Sequence, residues 1–242
     1  MVRRITLLGG AALSVAAAIL LVWWLSGGDP PEAGRPGPAA ALSPPSPSAG
    51  ALSPSALGAR DLGFRLLTLS DPDEVLAGMR SLTKMAEQGD VEAQIALGRI
   101  YLRGVPAVSQ DVTRARDWFM RAEPSRHPSA AYFLGVMSQN GQGVKADPAE
   151  AARWFEIAAQ EGSPDAMFLL ANAYRAGAGV PKNDAKAIAF YERAGEMEHA
   201  AALQALAMAY AYGELGLEPD EDERRRYMME AEHATKHRPA PP

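Results

Sequence analysis

His233 and His237 stand one helical turn apart with Glu230 just upstream, a spacing at which one helix face can hold a zinc ion. Both histidines fall in a C-terminal stretch rich in proline and lysine, and no fourth ligand accompanies them, so no metal site is expected. The chain has no cysteine, which excludes thiol catalysis and a disulfide framework. Serine, histidine and carboxylate do not gather in the manner of a catalytic triad. Gly141-Gln142-Gly143-Val144 and Gly177-Ala178-Gly179-Val180 have a glycine spacing like that of phosphate-cradling loops. Each follows a helical pattern rather than a strand and lacks the closing lysine and serine, so they read as turns and no cofactor is expected. Trp118, Trp154, Phe155, Phe190 and Tyr191 have the bulk for a ligand cage, but their helical spacing and recurrence mark core packing.

The recurrence has a fixed period. Gly141, Gly143 and Val144 return as Gly177, Gly179 and Val180, Trp154-Phe155 as Phe190-Tyr191, and Ala158 as Ala194, each step being 36 residues. Counted from Ala93, Ala130, Ala166 and Ala202, which lie 37, 36 and 36 residues apart, the same residue types recur at fixed offsets. A period of this length signals stacked supersecondary units. Offsets 0, +4, +8 and +11 share one stripe of an α-helix, as in Ala166, Leu170, Tyr174 and Gly177. The small residue at +5 admits a second helix closely, and the glycine at +11 suits a left-handed helix end. Second helices are expected over 113–121, 148–160, 184–193 and 221–233, burying the pairs Trp118-Phe119, Trp154-Phe155, Phe190-Tyr191 and Tyr227-Met228. Asp71, Pro72 and Glu74 give a helix start, and the stretch that ends in Met85-Ala86-Glu87-Gln88-Gly89-Asp90 resembles the end of a second helix.

The pattern Ala-x3-Leu-Gly-x2-Tyr-x2-Gly-x-Gly-Val, followed by Ala-x2-Trp-Phe-x2-Ala-Ala-x2-Gly, resembles the Sel-1-like repeat family, relatives of tetratricopeptide repeats, over about residues 74–235. The resemblance implies an all-α fold, an α-solenoid of stacked antiparallel helix pairs over 71–238, with a half-repeat at 71–90 and repeats at 91–127, 128–163, 164–199 and 200–235. The first repeat departs from it at Gly104-Val105-Pro106-Ala107, the second carries Ser138 where tyrosine is expected, and the fourth has a longer loop before its second helix. Atypical terminal repeats suit caps. The resemblance also implies a non-enzymatic adaptor or scaffold. The alternative it offers is binding or hydrolysis of cell-wall fragments or β-lactam-like compounds; the relatives described so usually carry a paired-cysteine repeat, which is missing here. A third reading is a self-assembling spacer.

Ahead of the repeats, residues 5–28 carry no charge, long enough for a single-pass transmembrane helix. Arg3 and Arg4 precede this stretch and Asp29 and Glu32 follow it, which puts the N-terminus in the cytoplasm and the rest outside, in a periplasm if the cell has two membranes. A cleaved signal peptide, leaving a secreted protein, is the alternative. Residues 1–28 are therefore read as an anchor and 29–70 as a proline-, alanine- and serine-rich linker that acts as a tether. Without the two arginines the formal charge falls from −5 to −7, against nucleic acid as a partner.

What remains is surface. Offsets +2, +6 and +9 of the first helices share a face outside the core stripe, on the side that lines the concave surface of a helix-pair solenoid. They are Ile95, Arg99 and Leu102; Tyr132, Val136 and Gln139; Phe168, Asn172 and Arg175; Gln204, Met208 and Ala211. A merely solvated face would be lysine and glutamate. This mixture of apolar, aromatic and arginine residues suits a protein partner, with Arg99 and Arg175 as carboxylate contacts and Tyr132 and Phe168 as apolar anchors.

Overall fold

The computed structural model describes residues 58–237. They form α1 (Ala59–Leu66), α2 (Pro72–Glu87), α3 (Val91–Arg103), α4 (Val112–Ala122), α5 (Pro128–Asn140), α6 (Pro148–Gln160), α7 (Pro164–Ala176), α8 (Asp184–Glu196), α9 (Ala200–Tyr212) and α10 (Glu221–His237). Among the described residues there is no strand, only an isolated bridge between Val105 and Val108. Each helix packs on the next in sequence, most extensively within α3–α4, α5–α6, α7–α8 and α9–α10. This is a solenoid of helix pairs.

Local chemistry sets the helix ends. Each second helix has an Asp or Asn N-cap, Asp111, Asp147, Asn183 or Asp220, whose side chain accepts from the first-turn backbone. The N–H of the same residue reaches back to the first helix. It donates to the carbonyls of Tyr101 (2.8 Å), Ser138 (2.9 Å), Tyr174 (2.9 Å) and Tyr210 (3.1 Å). The loop between paired helices is thus closed by one repeating bond. Gly141, Gly177 and Gly213 end their helices in the left-handed conformation, whereas Gly104, at φ 77° and ψ 149°, does not. The first loop is one residue longer and turns through the Val105–Val108 bridge instead.

The core stripe is buried in every repeat: Ala93, Leu97, Ala130, Leu134, Ala166, Leu170, Ala202 and Leu206 are at most 1% exposed. Opposite it the second helices insert Phe119, Phe155, Tyr191 and Tyr227, each 36 residues from the last. In each expected pair one residue is the buried ring and its companion, Trp118, Trp154, Phe190 or Met228, is partly buried against the core. In the last pair the ring is the first member, Tyr227, rather than the second. Gly98 and Gly135 explain the small residue at +5. A Cβ there would stand 2.5 Å from the ring of Phe119 or Phe155 respectively.

Two further differences from the sequence reading lie at the N-terminal end. Residues 59–66, assigned above to the linker, are helix α1, which buries Ala59, Leu62, Gly63 and Leu66 against α2 and α3. The cap at this end is therefore a helix pair rather than the half-repeat read from 71–90. A Cβ on Gly63 would collide with that of Ala96, so α1 lies against the backbone of α3. An eight-residue helix is marginal alone and forms here because its apolar stripe is covered. The segment 5–28, expected to span a membrane, lies outside the described residues. No helix among those described is long and apolar enough to cross one.

Ser138, the departure in the second repeat, is fully buried and its hydroxyl has no hydrogen-bond partner among the described residues. An unmade hydrogen bond of this kind costs about 1 kcal/mol or more. Ser138→Ala is expected to raise the unfolding free energy by about 1 kcal/mol, read as a higher urea midpoint. A lower midpoint would show that the hydroxyl has a partner.

Candidate functional site

The face formed by the first helices divides into two halves. At the N-terminal end it opens into a cavity of about 450 Å³ lined from α1, α3, α5 and the start of α7, with no residue from a second helix. Of the residues expected on this face, Ile95, Arg99 and Tyr132 lie in it, joined by Arg60 and Phe64 of α1 and by Phe133 of α5. Ile95 is buried and forms floor, while Arg99 and Tyr132 are half-buried. Burial, reinforced by the neighbouring charges of Arg60 and Arg103 and opposed by Glu92, pulls the Arg99 guanidinium below its ordinary pKa. The Tyr132 phenol is pushed up by burial and by the charge of Asp165. Among the described residues Arg99 has no carboxylate at salt-bridge distance, in contrast to Arg116, Arg126 and Arg175.

The rims of this cavity are held by histidine caps. His127 begins α5 by accepting the Ser129 N–H at Nδ1 (3.2 Å), and its Nε2 meets Glu92 Oε1 at 3.3 Å. His199 repeats the arrangement at α9, with the Ala202 N–H on Nδ1 (3.1 Å) and Asp165 Oδ1 on Nε2 (3.2 Å). In both, a ring nitrogen that accepts from backbone fixes the proton on Nε2, which donates to the preceding repeat. Glu92 and Asp165, which also line the cavity, are thereby engaged.

At the C-terminal half the expected residues are drawn into contacts with the second helix of their own repeat and with the start of α9 and the loop after it. Phe168 stacks on His199 with ring centroids 4.9 Å apart and leans on Tyr191 at 5.9 Å. The Tyr191 hydroxyl donates to Asn172 Oδ1 at 2.6 Å. Arg175 Nη2 pairs with Glu214 Oε2 at 2.7 Å. Arg175, expected to be a carboxylate contact for a partner, already holds one from the next repeat. Leu102 and Val136 are half-buried at the core edge, Ala211 is likewise half-buried, and Gln139, Gln204 and Met208 are exposed. Gln204 also lines a smaller cavity of about 190 Å³ beside Met228 and Ala231. Arg60 and Phe64 were missed by the sequence reading; the signal that pointed to them was the Ala59, Leu62, Gly63, Leu66 stripe just beyond the proline-rich stretch.

Elsewhere one network links successive repeats. Arg116 meets Glu150 at 3.0 Å, and Trp154 Nε1 donates to the same Oε1 at 3.2 Å. The Trp154 bond, with Arg116 adding to it against burial, holds the Glu150 carboxyl below its ordinary pKa. Glu230, read as a possible companion of His233 and His237, pairs with Arg226 at 3.1 Å. Among the described residues no group of three or more histidine, aspartate and glutamate side chains is placed to hold a metal ion.

The Sel1 repeat family model matches residues 91–122, 128–163, 164–199 and 200–225, over half of the chain and each match starting at a first helix. The chain belongs to the Sel1 repeat family. No curated protein matches it. Solved structures that share its fold include the following two. A Sel1 repeat protein from Oxalobacter formigenes superposes with a TM-score of 0.64 at 24% identity, over 76% of this chain and 72% of that one. The protective antigen c5321 of uropathogenic Escherichia coli, which displays an SLR fold, superposes with a TM-score of 0.61 at 33% identity, over 64% of this chain. This chain spans only 33% of the length of that antigen. In Sel1 terms, α1 and α2 precede the first matched repeat, so the cavity joins a non-repeat element to the repeats.

Proposed function

We propose that this Sel1 repeat protein is a membrane-tethered, non-enzymatic adaptor that holds a segment of a partner protein on the face of its first helices. In this reading residues 5–28 anchor the chain in the cytoplasmic membrane, the proline-rich stretch gives reach, and the solenoid stands outside, in a periplasm where there is one. The observation that carries the proposal is the cavity between α1 and the first helices of the repeats, lined largely by aromatic and apolar side chains with the half-buried Arg99 among them. Repeat solenoids use such surfaces for extended partners.

Photo-crosslinking in the native cell tests it, with the probe at Tyr132 and a control at exposed Glu156 on α6. A discrete protein adduct from position 132 alone is the expected result and identifies the partner. Equal labelling at both positions, or none, would sink the adaptor reading.

A further inference from the structure

We propose that the cavity between α1, α3 and α5 takes a carboxylate side chain flanked by an apolar one, on an acidic segment of a partner protein, with Arg99 as the charged contact and Phe64 and Tyr132 as the walls. This rests on the adaptor reading and sharpens it. Three observations support the carboxylate. Arg99 is half-buried with the like charges of Arg60 and Arg103 near it and no described carboxylate at salt-bridge distance. Burial and these like charges outweigh the stabilising charge of Glu92, so an anion that enters beside Arg99 gains attraction there. The acids that line the cavity each meet a histidine Nε2, Glu92 that of His127 and Asp165 that of His199, and neither lies at salt-bridge distance from Arg99. Arg175, by contrast, is satisfied by Glu214.

The apolar requirement follows from the walls. Phe64, Ile95, Tyr132 and Phe133 come from three different helices, and a bare anion would leave these rings wet. The residual charge of Glu92 and Asp165 at the rim disfavours a dianionic phosphate more than a singly charged carboxylate, which selects an acidic peptide over a phosphorylated one. Arg60 lies on the exposed side of α1 and steers the ligand in.

The test is an NMR titration of the purified full-length chain with three blocked dipeptides, acetyl-Phe-Glu-amide, acetyl-Phe-Gln-amide and acetyl-Phe-phosphoserine-amide. The glutamate compound is expected to shift the Arg99 and Tyr132 signals saturably and to bind at least tenfold more tightly than the glutamine one. Arg99→Gln is expected to remove that preference and Arg60→Gln to weaken it severalfold, while Arg175→Gln leaves it unchanged. Because Arg60 is exposed, its variant reports even if Arg99→Gln fails to fold. Equal binding of the glutamine compound, tighter binding of the phosphoserine compound, or an unchanged preference in both the Arg99 and Arg60 variants would overturn the proposal. Crosslinking from position 132 separates the two failures. An adduct that forms equally in Arg99→Gln sinks the carboxylate and leaves the adaptor, and no adduct in either sinks both.

Discussion

Gly179→Ala is expected to lower the unfolding free energy by about 3 kcal/mol, read from the urea midpoint of the α-helical circular dichroism signal. Gly179 sits at φ 76°, where an alanine costs about 1 to 2 kcal/mol. Its added Cβ would also lie far inside contact distance of the Pro148 carbonyl oxygen, a backbone atom at the start of α6 that has no rotamer to escape into. Overpacking of that kind costs roughly another 1 to 3 kcal/mol. Gly143 is the matched control. It has φ 73°, but a Cβ there would stop 3.2 Å from the Val112 oxygen, a tight contact that a shift of a few tenths of an ångström relieves, so Gly143→Ala is expected to cost mainly the backbone part, about 1 to 2 kcal/mol. Since Pro148 belongs to the preceding repeat, hydrogen exchange should show α7–α10 opening before α3–α5 in the Gly179 variant. Equal midpoints for the two variants would refute the close-contact argument.

The second large effect lies in the core. Phe155, 2% exposed, faces Gly135 across the α5–α6 pair. Phe155→Ala is expected to cost about 3 to 5 kcal/mol, and Gly135→Ala about 1 to 3 kcal/mol because its Cβ meets the ring. Together they should cost at least 1 kcal/mol less than the sum, since the shortened side chain leaves room for the new methyl. The comparison with the neighbouring repeats makes this sharper. The third and fourth repeats carry buried Ala171 and Ala207 together with Tyr191 and Tyr227, so small residue and ring vary between repeats. Additive single-variant costs in a double-mutant cycle would mean that ring and glycine do not constrain one another.

Much of this fold is local and was therefore readable in the chain. The second helix expected over 148–160 is Pro148–Gln160, and that expected from 184 begins at Asp184, because Asp147 and Asn183 cap them by bonds to residues two or three positions on. The core stripe of alanine and leucine follows from the helical period alone. The 36-residue step follows from identical units stacking on one another, each needing the same small and aromatic residues toward its neighbour.

Tertiary structure decided the rest, wherever a residue's role depends on what another helix brings to it. The sequence places Phe168, Asn172 and Arg175 on the same face as Arg99 and Tyr132, since face membership depends only on helical geometry. Only the stacking of α7 against α8, α9 and the loop after α9 shows that these three are engaged by His199, Tyr191 and Glu214, whereas Arg99 is left beside a cavity. Helix α1 is the same lesson at the other end. Eight residues bury too little to declare themselves in a proline-rich neighbourhood, yet their docking on α3 brings Arg60 and Phe64 to the site. The sequence by itself determined the repeat, its period and which residues share a face. Which of them remain available to a partner was settled by how each first helix packs against its own second helix and the next pair, a property of tertiary packing rather than of the helical period.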